Sequence, residues 1–173
     1  MFQALKKLFA PKPKFKPGPP PPPRLVITRS CIEGLGECLA PEIERGHEGI
    51  AYLLGQSDGT TTVAVAAVRP KARTTRGSFA VEAPAMARVV RAAVDRGLQV
   101  VGQVHTHPGE AYHSDGDNDG ARIAFTGYVS MVLPDYGRQL PALTGAATYF
   151  FQAGSRFIPM VADAITVIEG QVE

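Results

Sequence analysis

Three of the four histidines lie within nine residues, at His105, His107 and His113, and acidic residues follow them directly. Residues i and i+2 at the end of a strand project to the same side, so His105 and His107 can face one ion. Two imidazoles, a carboxylate and a water are the ligand set of a catalytic zinc site. The alternative is a pair of hydrogen-bonded surface histidines, and the spacing alone leaves both interpretations open.

A hydrolytic zinc centre also needs a general base that takes a proton from water. Glu48 is a candidate, because it stands immediately before the apolar strand predicted at Ile50–Leu54. An acid beside an apolar strand is shielded from solvent, which suits proton transfer near neutral pH. The other interpretation is an exposed carboxylate at the start of a strand.

The elements that position these residues form a mixed α/β or α+β domain, with two helices against a curved sheet. A buried strand, Leu98–Val104, leads directly into the histidine pair, and an amphipathic helix, Val81–Arg96, precedes it. A second helix is expected to begin at Ser30, which forms a capping box with Glu33, and to end at Gly46. Further strands are predicted at Leu25–Thr28, Thr61–Val68, Tyr128–Leu133, Ala147–Phe151 and Ile165–Ile168; a short helix is predicted at Asp117–Phe125 and a loop at Pro70–Ser78.

The chain has 173 residues and a net charge of +2, which combines two unlike parts. Residues 1–24 hold six basic residues and no acid, whereas the rest holds twelve basic and sixteen acidic residues. Eight prolines between Pro11 and Pro23 predict a polyproline spacer. We therefore divide the chain into a basic, proline-rich arm, residues 1–23, and one domain, residues 24–173. The arm could carry a short amphipathic docking helix with Phe2, Leu5, Leu8 and Phe9 on one side, or be a frayed terminus.

The composition excludes several classes of function. The body is mildly acidic, so a broad nucleic-acid-binding face is not indicated. No run approaches the ~18 apolar residues of a membrane span, and no secretion signal is evident, so we expect a cytoplasmic protein. The two cysteines, Cys31 and Cys38, are expected to be free thiols. They stand upstream of the histidines, at the wrong spacing for a nucleobase deaminase, and no Gly-x-Ser-x-Gly elbow indicates a serine hydrolase.

A longer pattern combines these candidates. A Glu precedes an apolar strand ending in Leu-Leu-Gly, His-Thr-His-Pro follows a buried strand, and Ser-x-x-Asp comes after it. This order over roughly residues 25–152 resembles the JAMM (MPN-plus, JAB) zinc metalloprotease family. The matching residues are Glu48, His105, His107, Ser114 and Asp117. The resemblance implies an MPN/JAB fold, a sandwich similar to that of cytidine deaminases.

The resemblance also implies a role for each matching residue. His105, His107 and Asp117 would hold one Zn²⁺ per chain, Glu48 would be the general base, and the Ser114 hydroxyl would stabilise the oxyanion. One departure from the family is a loop one residue shorter between Pro108 and Ser114. Counting from the histidines would reach Asn118, a poor ligand, so we anchor on Ser114. Asp115, Asp119 and, less directly, His113 remain substitutes for Asp117.

The substrate implied by the resemblance is a ubiquitin-like modifier, cleaved after its C-terminal tail. The chain is similar to stand-alone bacterial proteins, some from Bil-type antiphage operons that also encode E1-like and E2-like enzymes. Basic residues of the Pro70–Ser78 loop, Lys71, Arg73 and Arg76, would suit an acidic patch on the modifier, as would Arg138 in the Pro134–Gly145 loop. Alternatives are a peptidase acting on sulfur-carrier proteins, phage tails or cell walls, or a metal-free scaffold.

Overall fold

The fold is an α+β arrangement of ten strands and two helices within the part of the chain described by the computed structural model. That part comprises residues 21–114, 116–117, 123, 125–152 and 157–170. In chain order the elements are β1 (Arg24–Thr28), α1 (Arg29–Arg45), β2 (Ile50–Ser57), β3 (Thr61–Val68), β4 (Ala72–Thr75), β5 (Ser78–Val81), α2 (Ala83–Val94), β6 (Gln99–Thr106), β7 (Val129–Leu133), β8 (Ala147–Phe151), β9 (Phe157–Pro159) and β10 (Ile165–Ile168).

Eight of these strands form one curled, mixed sheet in the order β10-β1-β3-β2-β6-β7-β8-β9. β1 runs parallel to both β10 and β3, β6 runs parallel to β7, and the remaining pairs are antiparallel. The central pair, β2 and β6, carries the apolar runs that the sequence predicts as buried strands. A strand with two neighbours and two covered faces is rigid, which suits an element that positions ligands.

The two helices cover opposite faces of this sheet. Along β2, Ala51 and Leu53 pack in the core beneath α1, whereas Tyr52 and Leu54 pack in the core beneath α2. Alternation with a period of two sends successive side chains to opposite faces. The predicted architecture of two helices against a curved sheet is confirmed.

The N-cap of helix α1 lies two residues earlier than the capping box at Ser30 predicts. Thr28 is its N-cap, with extended backbone and a side chain that accepts a hydrogen bond from the Cys31 amide at 3.2 Å. The prediction of Ser30 is wrong because Thr28, the last residue of β1, already provides the capping hydroxyl. The helix ends at Gly46, as predicted, in a left-handed conformation.

The loop predicted at Pro70–Ser78 is also wrong. Strands β4 and β5 form a two-stranded antiparallel hairpin there, with Thr75 paired to Ser78 across a two-residue turn at Arg76 and Gly77. Short polar strands have little apolar periodicity, so the sequence signal is weak. β9, a three-residue edge strand, is also missed, because three residues are too few to show a period of two.

The helix predicted at Asp117–Phe125 is only partly described. Gly116 and Asp117 are helical, whereas Ile123 and Phe125 are not. The residues between them, Asp119 included, and also Asp115 lie outside the described residues, as do residues 1–20 of the arm.

Two further expectations can be compared with the structure. Within the described residues, no helix combines the length and apolarity needed to span a membrane. Both cysteines are free, as predicted, and burial raises the pKa of the Cys31 thiol to about 12. A thiol this hard to ionise is a packing group and not a nucleophile.

Candidate metal centre

The two histidines of the His-Thr-His-Pro sequence lie together at the end of β6. His105 is fully buried, His107 is 7% exposed, and their ring centroids are 5.1 Å apart. β6 holds His105 between Ile50 of β2 and Val132 of β7. The sheet therefore fixes the backbone of the pair from both sides.

Asp117 completes a three-residue cluster with this pair. Its Oδ1 lies 3.2 Å from His105 Nε2, and its Oδ2 lies 3.7 Å from His107 Nε2. One ligand atom from each of the three residues lies within 4.8 Å of the others. The structure thus brings together the three residues that the sequence analysis names as zinc ligands.

The donor set fits a metal ion. Both ring nitrogens of His105 are buried, and neither has a hydrogen-bond partner among the described residues. Buried polar atoms are nearly always satisfied, and a cation bound by both His105 Nε2 and the Asp117 carboxylate would satisfy this nitrogen. Burial and the neighbouring His105 lower the pKa of His107, which keeps it in the neutral form that binds metals.

Ser114 holds the Asp117 carboxylate in place. The Ser114 amide and hydroxyl each donate to Asp117 Oδ2 at 2.7 Å, and the Asp117 amide returns a hydrogen bond to Ser114 Oγ at 3.2 Å. Burial alone would raise the pKa of Asp117, but His105 and the Ser114 donors together hold it well below its usual range. The Ser-x-x-Asp spacing thus forms a local turn that keeps a carboxylate ionised beside the histidines.

Glu48 lies just before β2 and is only 7% exposed. Its neighbour Gly49 receives a hydrogen bond at its carbonyl from the Thr106 amide and donates its own amide to the Thr106 hydroxyl at 2.8 Å. Burial, with a smaller contribution from the charge of Asp117, raises the pKa of Glu48 to about 7. A carboxyl with this pKa can both accept and return a proton near neutral pH.

His113, the remaining candidate ligand, faces another partner. Its Nε2 lies 3.0 Å from Ser130 Oγ, and its amide donates to the Tyr149 hydroxyl at 3.1 Å. Burial lowers its pKa to about 4, so the ring is neutral. His113 therefore anchors the loop that carries Ser114, a role the sequence analysis misses. Ser130, a lone polar residue in the apolar strand β7, is the one signal of this buried contact.

A cleft of about 720 Å³ opens over the cluster. One wall is the β4–β5 hairpin, residues 77–81, and the other is the segment 107–110. Glu48, Ser114 and Asp117 line it, together with residues that the sequence analysis does not identify, Tyr52, Gln103 and Tyr112. Phe79 of the hairpin also packs on the His105 ring, with centroids 5.3 Å apart. His107 and Asp117 of the cluster thus line a cleft bounded by the hairpin and by the segment 107–110.

Comparisons with known proteins agree with this geometry. Residues 42–139, which include all five motif residues, match the family described as prokaryotic homologs of the JAB domain. The chain is 30% identical over 133 residues to the probable metalloprotease y4jG of Sinorhizobium fredii (strain NBRC 101917 / NGR234), covering 75% of this chain and 82% of that protein. Together with the possible metal ligands, these matches support a hydrolase of the metalloprotease type.

The fold is similar to the solution structure of protein DSY2949 from Desulfitobacterium hafniense. The TM-score is 0.60 at 14% sequence identity, and the match covers 86% of this chain and 94% of that one. At this identity the similarity concerns the fold alone. With the family match over residues 42–139 and the curated relative, the conclusion is that this chain belongs to the prokaryotic JAB-domain family.

Proposed function

We propose that this protein is a zinc-dependent peptidase or isopeptidase that cleaves after the C-terminal tail of a ubiquitin-like modifier. The single observation that carries the proposal is the cluster of His105, His107 and Asp117, with Glu48 in the same cleft. Zinc, when bound by those three residues, would supply the Lewis acid that polarises the scissile carbonyl and makes water more acidic.

The residues of the chain would divide the remaining chemistry between them. Glu48 accepts a proton from the attacking water and then donates it to the leaving amine, which its raised pKa favours. Ser114 donates a hydrogen bond to the oxyanion, for which its hydroxyl must turn away from Asp117 Oδ2. Both groups line the cleft, so one bound peptide can reach them together.

The shape of the cleft supports an extended peptide as substrate. Within the described residues, β5 pairs only with β4, and its residues line the cleft. An extended tail can add to such an edge by main-chain hydrogen bonds. Glu110, which also lines the cleft, suits a lysine amine as leaving group, because the released amine takes a proton and becomes a cation.

The outer side of the hairpin supports a partner with an acidic patch. Lys71, Arg73 and Arg76 are all exposed there or nearby, and Arg73 has only a long contact of 3.8 Å with Glu82. Exposed pairs of this kind are weak, so these cations are available to another protein. We propose that this partner is the modifier, in a bacterial antiphage conjugation pathway with E1-like and E2-like enzymes.

The test uses the full chain and a fusion of a reporter to the C-terminal tail of a bacterial ubiquitin-like protein. We expect about one zinc per chain, and cleavage after the tail that a chelator abolishes and added zinc restores. Robust cleavage in chelator would refute the metal mechanism. Absence of zinc, with no gain on reconstitution, would favour the metal-free scaffold instead.

A second panel separates the proposed substrate from the alternatives. Fusions of a sulfur-carrier protein and peptides from phage tails or cell walls are assayed at equal concentration. The proposal requires the modifier fusion to have the highest kcat/KM. A preference for any other substrate would replace the modifier while leaving the peptidase assignment intact.

A further inference from the structure

The turn after β7 has an unusual backbone. Asp135 (φ 48°) and Tyr136 (φ 57°) are consecutive left-handed residues other than glycine, and Gly137 (φ 82°) follows them. For an L residue this conformation brings Cβ close to the following carbonyl oxygen, so it persists only where neighbouring contacts favour it. Two such residues in succession therefore call for an explanation in their contacts.

The left-handed conformation directs two successive amides to one wall of the cleft. The Asp135 amide donates to the Gly109 carbonyl at 3.0 Å, and the Tyr136 amide donates to the His107 carbonyl at 2.7 Å. These carbonyls belong to the segment 107–110 that lines the cleft. The strained turn thus fixes the wall that follows the metal-binding pair.

The side chain of Tyr136 reaches the opposite wall. Its hydroxyl donates to the main-chain carbonyl of Arg76, in the turn of the β4–β5 hairpin, at 3.0 Å. The Arg138 guanidinium lies 5.2 Å from the Tyr136 ring centroid and also bonds Asp135 Oδ1 at 2.7 Å. A cation over the ring and an ion pair within the turn both restrict the orientation of the phenol.

Among the described residues, two further hydrogen bonds link the hairpin to the segment before β2, and both involve its outer strand β4. Glu48 donates its amide to the Thr75 carbonyl at 2.8 Å, and His47 Nδ1 lies 3.3 Å from the Thr74 hydroxyl. β5, the strand that lines the cleft, lies on the other side of the turn that Tyr136 holds. Tyr136 is thus placed to set the distance between β5 and the segment 107–110.

We infer that Tyr136 is a positioning residue. Its hydrogen bond to Arg76 acts as a latch that holds the β4–β5 hairpin in place, so that the cleft is wide enough for an extended substrate tail. The expected effect of Tyr136 on KM rests on the proposed peptidase function, whereas its effect on the rigidity of the hairpin does not. Because this latch already holds the hairpin in the free protein, less conformational entropy is lost when the substrate tail binds, and the tail binds more tightly. Tyr136 is not among the described residues that line the cleft, so we expect its hydroxyl to leave the chemical step unaffected.

The structural test is amide hydrogen exchange on the full chain with Tyr136→Phe, which removes only the hydroxyl. Exchange at residues 76–81 should become about threefold to tenfold faster, the effect of losing one hydrogen bond. Arg76→Ala is the matched control, because it keeps the accepting main-chain carbonyl and should leave this exchange as in the wild type. Unchanged exchange in Tyr136→Phe would overturn the inference.

The kinetic test uses a fusion substrate that carries the extended tail. Tyr136→Phe should raise KM by about threefold to tenfold, with kcat changed less than twofold. A fall in kcat at constant KM would contradict a positioning role of this kind. If the wild type cleaves no peptide, the proposed function fails, and the exchange measurement still decides whether the latch exists.

Discussion

At the scale of single residues, Glu48 is a carboxyl whose ionisation the fold opposes. Burial, and secondarily Asp117, raise its pKa from 4.5 to about 7. Between these values the folded state binds a proton that the unfolded state releases, so this residue makes the metal-free protein less stable as pH rises from 4.5 through 7. The property that suits a general base therefore costs stability.

Glu48→Gln should separate these two effects. Without zinc, the variant should be more stable than the wild type by about 2–3 kcal/mol near pH 8, and the difference should shrink toward pH 4.5. Denaturant unfolding of chelator-treated protein measures this difference in stability, with Glu44→Gln, an exposed carboxyl of α1, as the control.

With zinc restored, Glu48→Gln should bind the ion but lose about 10²–10⁴ in kcat. Wild-type turnover would refute the assignment of the base.

The Ser114 hydroxyl donates a hydrogen bond to the Asp117 carboxylate in the structure, and in the proposed mechanism it donates one to the oxyanion. Ser114→Ala should lower kcat by about 10²–10³ through loss of the oxyanion donor. It should also weaken zinc binding by about tenfold, because Asp117 loses a hydrogen bond that orients it. Zinc competition titration measures the second effect separately from turnover, and Ser114→Thr, which keeps the hydroxyl, should recover both in part. Unaltered zinc affinity in Ser114→Ala would show that this hydroxyl does not orient the ligand.

At the scale of elements, β2 carries an irregularity that explains the Gly of the Leu-Leu-Gly sequence. The pairing of β2 with β3 shifts register between Leu54 and Gly55. A Cβ at position 55 would lie 1.8 Å from the Val63 carbonyl oxygen, a contact that no side chain can adopt. The bulge bends β2 locally and requires a residue without a side chain at position 55.

Gly55→Ala should therefore destabilise the protein by about 2–4 kcal/mol, the range expected for backbone displacement in a packed core. Gly36→Ala is a matched control, because position 36 lies in α1 and a Cβ there meets nothing within 4 Å. The control should gain up to about 1 kcal/mol through helix propensity. Denaturant unfolding compares the two, and equal stability of both variants would contradict a structural role for the bulge.

At the scale of the whole molecule, the described domain is closed by contacts between its two ends. β10 pairs with β1, and Arg29 at the start of α1 forms an ion pair with Glu169 after β10. The Arg24 amide, at the beginning of β1, bonds the Thr60 carbonyl at 2.9 Å. Because residues 1–23 combine five lysines with eight prolines and no acid, a composition without a core of its own, we propose that this arm is an accessory segment.

Deletion of residues 1–23 should leave folding, zinc content and turnover of a small peptide unchanged, with a stability change within about 0.5 kcal/mol. Affinity for the protein partner should fall at least about threefold, and more at low salt, because the deleted segment is basic. Thermal unfolding, metal analysis and titration with the partner measure these quantities. Loss of folding or of zinc would contradict the independence of the domain.

Features that depend on neighbouring residues could be predicted from the sequence. The His105 and His107 pair at a strand end and the helix stop at Gly46 follow from short-range geometry, whereas the choice of Ser114 and Asp117 came from the resemblance to a known family. Such features are encoded in periodicity and capping chemistry, which a short stretch of chain contains.

Features that depend on pairing between distant segments could not be predicted, because they form only when the chain folds. The register between β2 and β6 sets Ile50 opposite His105 and so brings Glu48 toward the cluster. The β4–β5 hairpin, the contact of His113 with Ser130 and the reach of Tyr136 to Arg76 likewise join segments far apart in the chain. These contacts depend on burial and on the arrangement of the whole sheet, and those quantities do not exist until the chain has folded.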